Sequence, residues 1–260
     1  MERPVKPARC VVLLHAFPCD GRMWAAQADA LSEAGWDLVI PDLPGFGASD
    51  VLEADPSLDL VADVVLRELS VQRIEGAVLA GLSLGGYVAM AMMRRAPERF
   101  SALMLCDTKA SADTAEAREN RHRLAEAVLE DPAACGRVLR EKVLPGLLGA
   151  TTFAERPAVV AEVGGWLDEA RPEAVAWYQR AMAARPSSIE VLAAASIPAL
   201  VLWGEEDTLS PEADQRVMLD VLGKGSSALI PGAGHLSAVE RPATVSRRMV
   251  EFLEGAVLRS

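Results

Sequence analysis

Ser83 stands between two glycines in Gly81-Leu82-Ser83-Leu84-Gly85, directly after the apolar run Ala77 to Ala80 and directly before a helical pattern that starts near Leu84. A serine on a sharp strand-to-helix turn takes a strained backbone, and the residues two positions away on either side must be small for the turn to close. Such a serine is pushed into the cleft as a nucleophile. The free N–H groups of the following helix, that of Leu84 first, face negative charge that develops beside its oxygen.

A serine hydroxyl is a weak nucleophile and needs a base. The candidates are the chain's three histidines and, less favoured, a lysine. His122 lies between Arg121 and Arg123 in a charged helical pattern and reads as a solvated surface residue. His15 ends a buried strand ahead of Ala16-Phe17-Pro18 and reads as a hydrogen-bonded structural histidine. His235, in Pro231-Gly232-Ala233-Gly234-His235, stands in a glycine-rich loop after the last strand pattern, which makes it the candidate base. A carboxylate must then hold its tautomer and stabilise the imidazolium. Asp207 follows the run Ala199 to Trp203 through Gly204, and Asp107 follows the run Ala102 to Cys106 in the same way. Chain order and the turn chemistry of Gly204 favour Asp207, with Asp107 as its competitor. Asp42 opens a proline-glycine loop and reads as structural.

Positioning these side chains requires strand ends. Apolar runs suited to strands buried on both faces occur at Cys10 to Leu14, Trp36 to Ile40, Ala77 to Ala80, Ala102 to Cys106 and Ala199 to Trp203, with a weaker one at Ser227 to Ile230. Apolar residues at three-to-four spacing predict helices over Trp24 to Ala34, Ser57 to Leu69, Leu84 to Ala96, Pro211 to Leu222 and Pro242 to Leu258. This alternation means an α/β fold: a mostly parallel sheet with helices on both faces. It breaks once, from about Thr108 to Ile197, where Ala-, Glu- and Arg-rich helical patterns follow one another without a convincing strand. The expected organisation is a core of residues 1–107 and 198–260 with a helical cap of residues 108–197, inserted between two late strands and seated over their carboxyl ends. Helical periodicity does not say which of Trp166, Trp177, Tyr178 or Met182 face the cleft.

With 51% apolar and 24% charged residues over 260 positions, the chain is long and apolar enough for a sizeable core, which excludes disordered and fibrous classes. The net charge of -11 repels phosphate backbones and anionic headgroups, so neither nucleic acid nor membrane is an expected partner. The same field favours neutral or cationic ligands, weakly. Only four of the 26 basic residues are lysine. Cysteines at 10, 19, 106 and 135 lack paired short spacing, which gives no zinc or dithiol signature and suits reduced thiols in a cytoplasm. The N-terminus lacks the pattern of a signal peptide, so a cytoplasmic setting is expected. The uncharged stretch that opens at Gly76 is interrupted by Gly81, Ser83, Gly85 and Gly86, and reads as strand, turn and helix laid end to end instead of a membrane span.

The order Ser83, Asp207, His235 on such a chain, with His15-Ala16-Phe17-Pro18 after the first strand, resembles the α/β-hydrolase superfamily over essentially its whole length. Pro41-Asp42-Leu43-Pro44-Gly45-Phe46-Gly47-Ala48-Ser49 and Arg22-Met23-Trp24 look like the family's loop after the second of these strands and its usual first helix start. The chain is most similar to small serine esterases and enol-lactonases. The resemblance implies Ser83, Asp207 and His235 as catalytic residues, an oxyanion hole from the backbone N–H groups of Phe17 and Leu84, and no cofactor or metal. Phe17, Leu84, Leu209 and Leu236, next to these positions in sequence, are the expected apolar substrate-binding residues. Two departures stand out: Ala16 replaces the usual glycine, and the few residues before His15 leave no room for the usual opening hairpin, which suggests a shortened sheet. Serine at the elbow argues against the superfamily's dehalogenases and epoxide hydrolases, which use aspartate. The expected function is hydrolysis of a small to medium carboxylic ester or lactone. A slow-turnover small-molecule sensor, acyl transfer, carbon–carbon bond hydrolysis and peracid formation on the same triad remain alternatives, and the oligomeric state is not encoded legibly.

Overall fold

The apolar runs become strands because their side chains are buried on both faces, which only a covered parallel sheet provides. A computed structural model describes residues 9–257. Its six strands are β1 (Cys10–Leu14), β2 (Asp37–Val39), β3 (Ala77–Leu82), β4 (Phe100–Cys106), β5 (Ala199–Gly204) and β6 (Gly225–Ile230). They form one parallel sheet in the order β2-β1-β3-β4-β5-β6. β1, β3 and β5 are buried throughout, whereas the edge strands β2 and β6 are partly exposed. The strand bounds differ from the apolar runs by one or two residues: β2 is shorter than Trp36 to Ile40, β3 runs on to Leu82, β4 begins at Phe100 and β6 begins before Ser227.

The helices of the core are α1 (Ala25–Glu33), α2 (Leu58–Val71) and α3 (Leu84–Arg95) ahead of β4. Between β4 and β5 the described chain is helical only: α4 (Ala115–Glu130), α5 (Cys135–Lys142), α6 (Leu144–Leu147), α7 (Ala150–Glu155), α8 (Pro157–Glu169), α9 (Pro172–Ala184) and α10 (Ile189–Ala194). After β5 come α11 (Glu212–Val221), α12 (Ser237–Glu240) and α13 (Pro242–Phe252). The first predicted helix starts as a short 3-10 turn, Gly21–Trp24, because the Asp20 carboxylate accepts the Arg22 amide and caps it there. The last ends at Phe252 and continues as a wider turn through Val257; the predicted end at Leu258 lies outside the described residues.

Strand order reverses on either side of β1, so right-handed crossovers send α1 to one face and α2 and α3 to the other. α1 accordingly packs on α13, and α2 on α3. The crevice at the reversal, between the ends of β1 and β3, is where open α/β sheets place ligands. The uncharged stretch opening at Gly76 resolves into β3 and α3, whose residues Leu84 to Met93 are all buried. A helix apolar all round is what a protein interior takes. No helix of the described residues is long and apolar enough to cross a membrane.

Candidate active site

Ser83 occupies the turn between β3 and α3 with φ 54° and ψ -110°, in the left-handed half of the map that a side chain seldom enters. The neighbours make this possible. A Cβ at Gly81 would run into the Gly85 carbonyl, and a Cβ at Gly85 into the Leu14 carbonyl at the end of β1. The strained serine is held by its amide, which donates to the Cys106 carbonyl at 2.9 Å, and by its carbonyl, which accepts from the Thr108 hydroxyl at 2.8 Å.

The structure brings Ser83, His235 and Asp207 into one line. Ser83 Oγ lies 2.7 Å from His235 Nε2, and His235 Nδ1 lies 3.0 and 2.9 Å from the two Asp207 oxygens. An ionised carboxylate can only accept, so Nδ1 carries the proton and Nε2 keeps a lone pair for the serine O–H. Burial would raise the Asp207 pKa. The charge and hydrogen bond of His235, with donors from Ser210, hold it down instead at about 2. Asp207 also accepts the Leu209 and Ser210 amides at 2.8 and 3.1 Å and the Ser210 hydroxyl at 2.5 Å. It therefore stays ionised in a setting where its side chain is fully covered.

Asp107 is elsewhere. Its buried carboxylate accepts the Gly204 amide at 2.8 Å and the Ser237 hydroxyl at 2.5 Å, and burial together with the nearby charge of Asp207 pushes its pKa well up. His122 is exposed, as its charged surroundings suggested. His15 is fully buried: Nδ1 is 2.9 Å from the Ala16 carbonyl and Nε2 accepts the Leu43 amide at 2.9 Å, while burial lowers its pKa. A neutral His15 thus ties the loop that carries Phe17 to the loop after β2. Asp42 accepts the Gly21 and Ala48 amides at 2.9 Å each, a structural role as read from the sequence.

A cavity of about 810 Å³ opens above Ser83 and His235. Phe17, Tyr87 and Leu209 line it from the segments that build the sheet and its flanking helices, and the segment between β4 and β5 contributes Lys109, Leu124, Ala127, Val143, Leu147 and Met182 among others. Of the four expected apolar contacts, Phe17 and Leu209 face this space. Leu84 and Leu236 do not, and the expectation is corrected: both side chains are fully buried. Leu84 opens the all-buried helix α3, and the Leu236 amide donates to the Leu147 carbonyl at 3.0 Å, which turns that segment inward. Met182 lines the cavity, whereas Trp166, Trp177 and Tyr178 pack in the interior, with the Trp177 indole donating to the Ala54 carbonyl at 2.8 Å.

The charges lining this cavity have the opposite sign to the chain's net charge, on which the expected preference for neutral or cationic ligands rested. Lys109, Arg121, Arg123 and Lys142 line the cavity against one acidic side chain, Asp113, which is paired with Arg121 and Arg185. Net charge averages over the whole surface and does not report the sign inside a cleft. Sequence reading also missed Glu240, whose buried carboxylate accepts the amides of Gly149 and Gly234 at 2.8 Å each and the Thr152 hydroxyl at 2.6 Å. Its only signal was a glutamate within an otherwise apolar helix start just after His235.

A parallel sheet whose reversal point carries a serine on a glycine-flanked strand-to-helix turn defines the α/β-hydrolase class of fold. The sequence pattern of the family described as alpha/beta hydrolase fold matches residues 9–242. The chain belongs to that family. It is similar to the solved structure of a thermophilic esterase from Thermogutta terrifontis, described with malate bound, at 36% identity and a TM-score of 0.90, over 95% of this chain and 90% of that one. It is also similar to the enol-lactonase from Burkholderia xenovorans LB400, at 25% identity and a TM-score of 0.85, over 97% and 94% of the two chains. A 2-hydroxy-6-oxononadienedioate/2-hydroxy-6-oxononatrienedioate hydrolase of Burkholderia vietnamiensis is 26% identical over 94% of this chain and 86% of its own length.

Proposed function

We propose that the protein is a serine hydrolase that cleaves carboxylic esters or lactones of small to medium molecules through an acyl-enzyme. The observation that carries this reading is the continuous Asp207–His235–Ser83 hydrogen-bonded line at the floor of a largely apolar cavity. As Ser83 Oγ bonds to the carbonyl carbon, its proton passes to His235 Nε2, and the imidazolium formed is stabilised by Asp207. Collapse of the tetrahedral intermediate breaks the C–O bond, and the leaving alkoxide takes the proton from His235. A water then gives a proton to His235 and attacks the acyl carbon, releasing the acid and returning the proton to Ser83.

The negative oxygen of both intermediates is held by the amides of Phe17 and Leu84, each contributing about 3 kcal/mol. Leu84 is the first residue of α3, so its N–H has no carbonyl a turn earlier to bond. Residues 108–197 act as a cap over the core of residues 1–107 and 198–260. Phe17 and Leu209 contact the acyl chain. No cofactor takes part, and the reaction is carried out in the cytoplasm on a small-molecule substrate, without nucleic acid or membrane.

The test is turnover of p-nitrophenyl acetate and butyrate by the wild type and Ser83→Ala. The wild type is expected to release many equivalents of nitrophenol per chain, and the variant to lose several powers of ten in kcat with the fold intact. Release that stalls at one equivalent would identify a sensor. A variant retaining more than about a tenth of the activity would remove Ser83 from the mechanism.

A further inference from the structure

Two of the chain's four lysines, Lys109 and Lys142, line the same cavity. They reach it from separate segments. Lys109 is half-buried and follows Thr108, whose hydroxyl holds the Ser83 carbonyl at 2.8 Å. Lys142 ends α5, and α6, which follows it, is anchored to the histidine loop by the bond from the Leu236 amide to the Leu147 carbonyl. Neither lysine forms an ion pair among the described residues, although Asp214 lies near enough to feel the charge of Lys109. The other cavity cations are committed: Arg121 to Asp113 and Gln179, and Arg123 to Asn120, with Glu119 at 3.8 Å. Elsewhere arginines are matched to carboxylates in the same manner, as in Arg140 with Asp168 and Arg216 with Glu212. Uncommitted ammonium groups facing a catalytic cavity, in a chain of net charge -11, call for a counter-ion that arrives with the substrate.

We propose that this site selects esters or lactones that carry a second, ionised carboxylate, whose charge is met by Lys109 and Lys142 while the carbon chain between the two groups lies against the apolar lining. This rests on the hydrolase reading above and narrows its substrate class. Ammonium groups act as point charges without the planar fork of arginine, so the site reads charge more than the geometry of the anion. Lys109 is half-buried and Lys142 exposed, so the stronger, partly shielded contact falls to Lys109, with Lys142 adding charge at the open side, and charge-assisted hydrogen bonds add to both.

The test compares kcat/KM for mono-4-nitrophenyl glutarate and 4-nitrophenyl pentanoate, two esters of equal acyl length that differ in terminal charge. The wild type is expected to prefer the anionic ester by about tenfold or more, the size of one charged hydrogen bond. Preference should fall as salt rises, fall by about tenfold in the Lys109→Met/Lys142→Met double variant, and return in Lys109→Arg/Lys142→Arg. Circular dichroism confirms that each variant is folded. Turnover of both esters with a ratio unchanged by the double substitution would overturn the anion site and leave the hydrolase standing. If the wild type turns over neither ester, the hydrolase reading fails, and calorimetry of glutarate on Ser83→Ala decides the anion site. Binding lost in the lysine variants sustains it, and absence of binding overturns it.

Discussion

Asp107, at the end of β4, accepts the Gly204 amide at 2.8 Å, and Gly204 begins the turn that carries Asp207. Its other oxygen accepts the Ser237 hydroxyl, two residues beyond His235. One buried carboxylate thus props both the loop of Asp207 and the loop of His235 without touching the histidine, while its neighbour one strand over makes the contact.

Asp207→Asn is therefore expected to lower kcat by roughly 10⁴, as loss of the orienting carboxylate does in serine hydrolysis. Asp107→Asn should cost far less, since an amide oxygen still accepts the Gly204 N–H. Steady-state kinetics of the two purified variants give the ranking, and the reverse order would move the catalytic acid to Asp107.

Glu240 satisfies three buried donors, and its substitution by alanine leaves all three unpaired. At about 1–3 kcal/mol for each orphaned group, the expected loss of stability is several kcal/mol. Because Gly234 directly precedes His235, kcat should fall as well under conditions where the variant is still folded. Urea unfolding followed by rate measurements at low denaturant separates the two effects. A variant of wild-type stability would show that the carboxylate contributes little.

Asp113 supplies a pH signature. Burial alone would raise its pKa, but Arg185 and Arg121 hold it down at about 2, below the ordinary value for an unfolded chain. An acid depressed on folding stabilises the native state above the unfolded pKa of about 3.9, and that contribution disappears as pH falls through the folded value. Asp113→Asn, which strands the covered Arg185, should lose about 3 kcal/mol at pH 7. The gap between variant and wild type should close between about pH 4 and pH 2. Urea midpoints along that range provide the check; a gap independent of pH would contradict the assignment.

The cavity sets a length limit. Each acyl methylene buried against Phe17, Leu209 and their neighbours is worth at most about 0.8 kcal/mol. Across p-nitrophenyl esters, kcat/KM should rise over the first few acyl carbons and fall for long chains that a space of about 810 Å³ cannot admit. Preference for long-chain triglycerides, or activation at an oil interface, would mean that the helices over the site work as a lipase lid.

The elbow was legible because its chemistry is local: Gly81 and Gly85 are required by backbone approaches that lie within a few residues or one strand away. The meeting of Ser83, Asp207 and His235 was legible because α/β topology maps chain order onto strand ends. The roles of Leu84 and Leu236 were not, since adjacency in sequence to a catalytic residue says nothing about which way a side chain turns. Leu84 turned inward with its helix. The cavity's charge was hidden for a related reason: Lys109 and Lys142 are isolated in sequence, and folding alone places them along one wall-to-wall space. Glu240 was invisible because its donors, Gly149 and Thr152, lie about ninety residues away.

The helices over the site are attached unequally. α7 is fastened to the loops of Asp207 and His235: the amide and hydroxyl of Thr151 reach Glu206, the Gly149 amide and the Thr152 hydroxyl reach Glu240, and a Cβ on Gly149 or Gly234 would collide with the other's backbone. α4 instead packs mainly on α9 and lends the cavity a single face of side chains, Ala117, Asn120, Leu124 and Ala127 among them. Selection and engineering can therefore act on the two halves of the roof at different rates. The α4 face, apart from Arg121 with its pair to Asp113, can be rewritten for new substrates one residue at a time, because none of the named side chains bonds to a group that holds Ser83, Asp207 or His235. The α7 seam allows no such drift, and a change there reaches the histidine before it reaches the substrate.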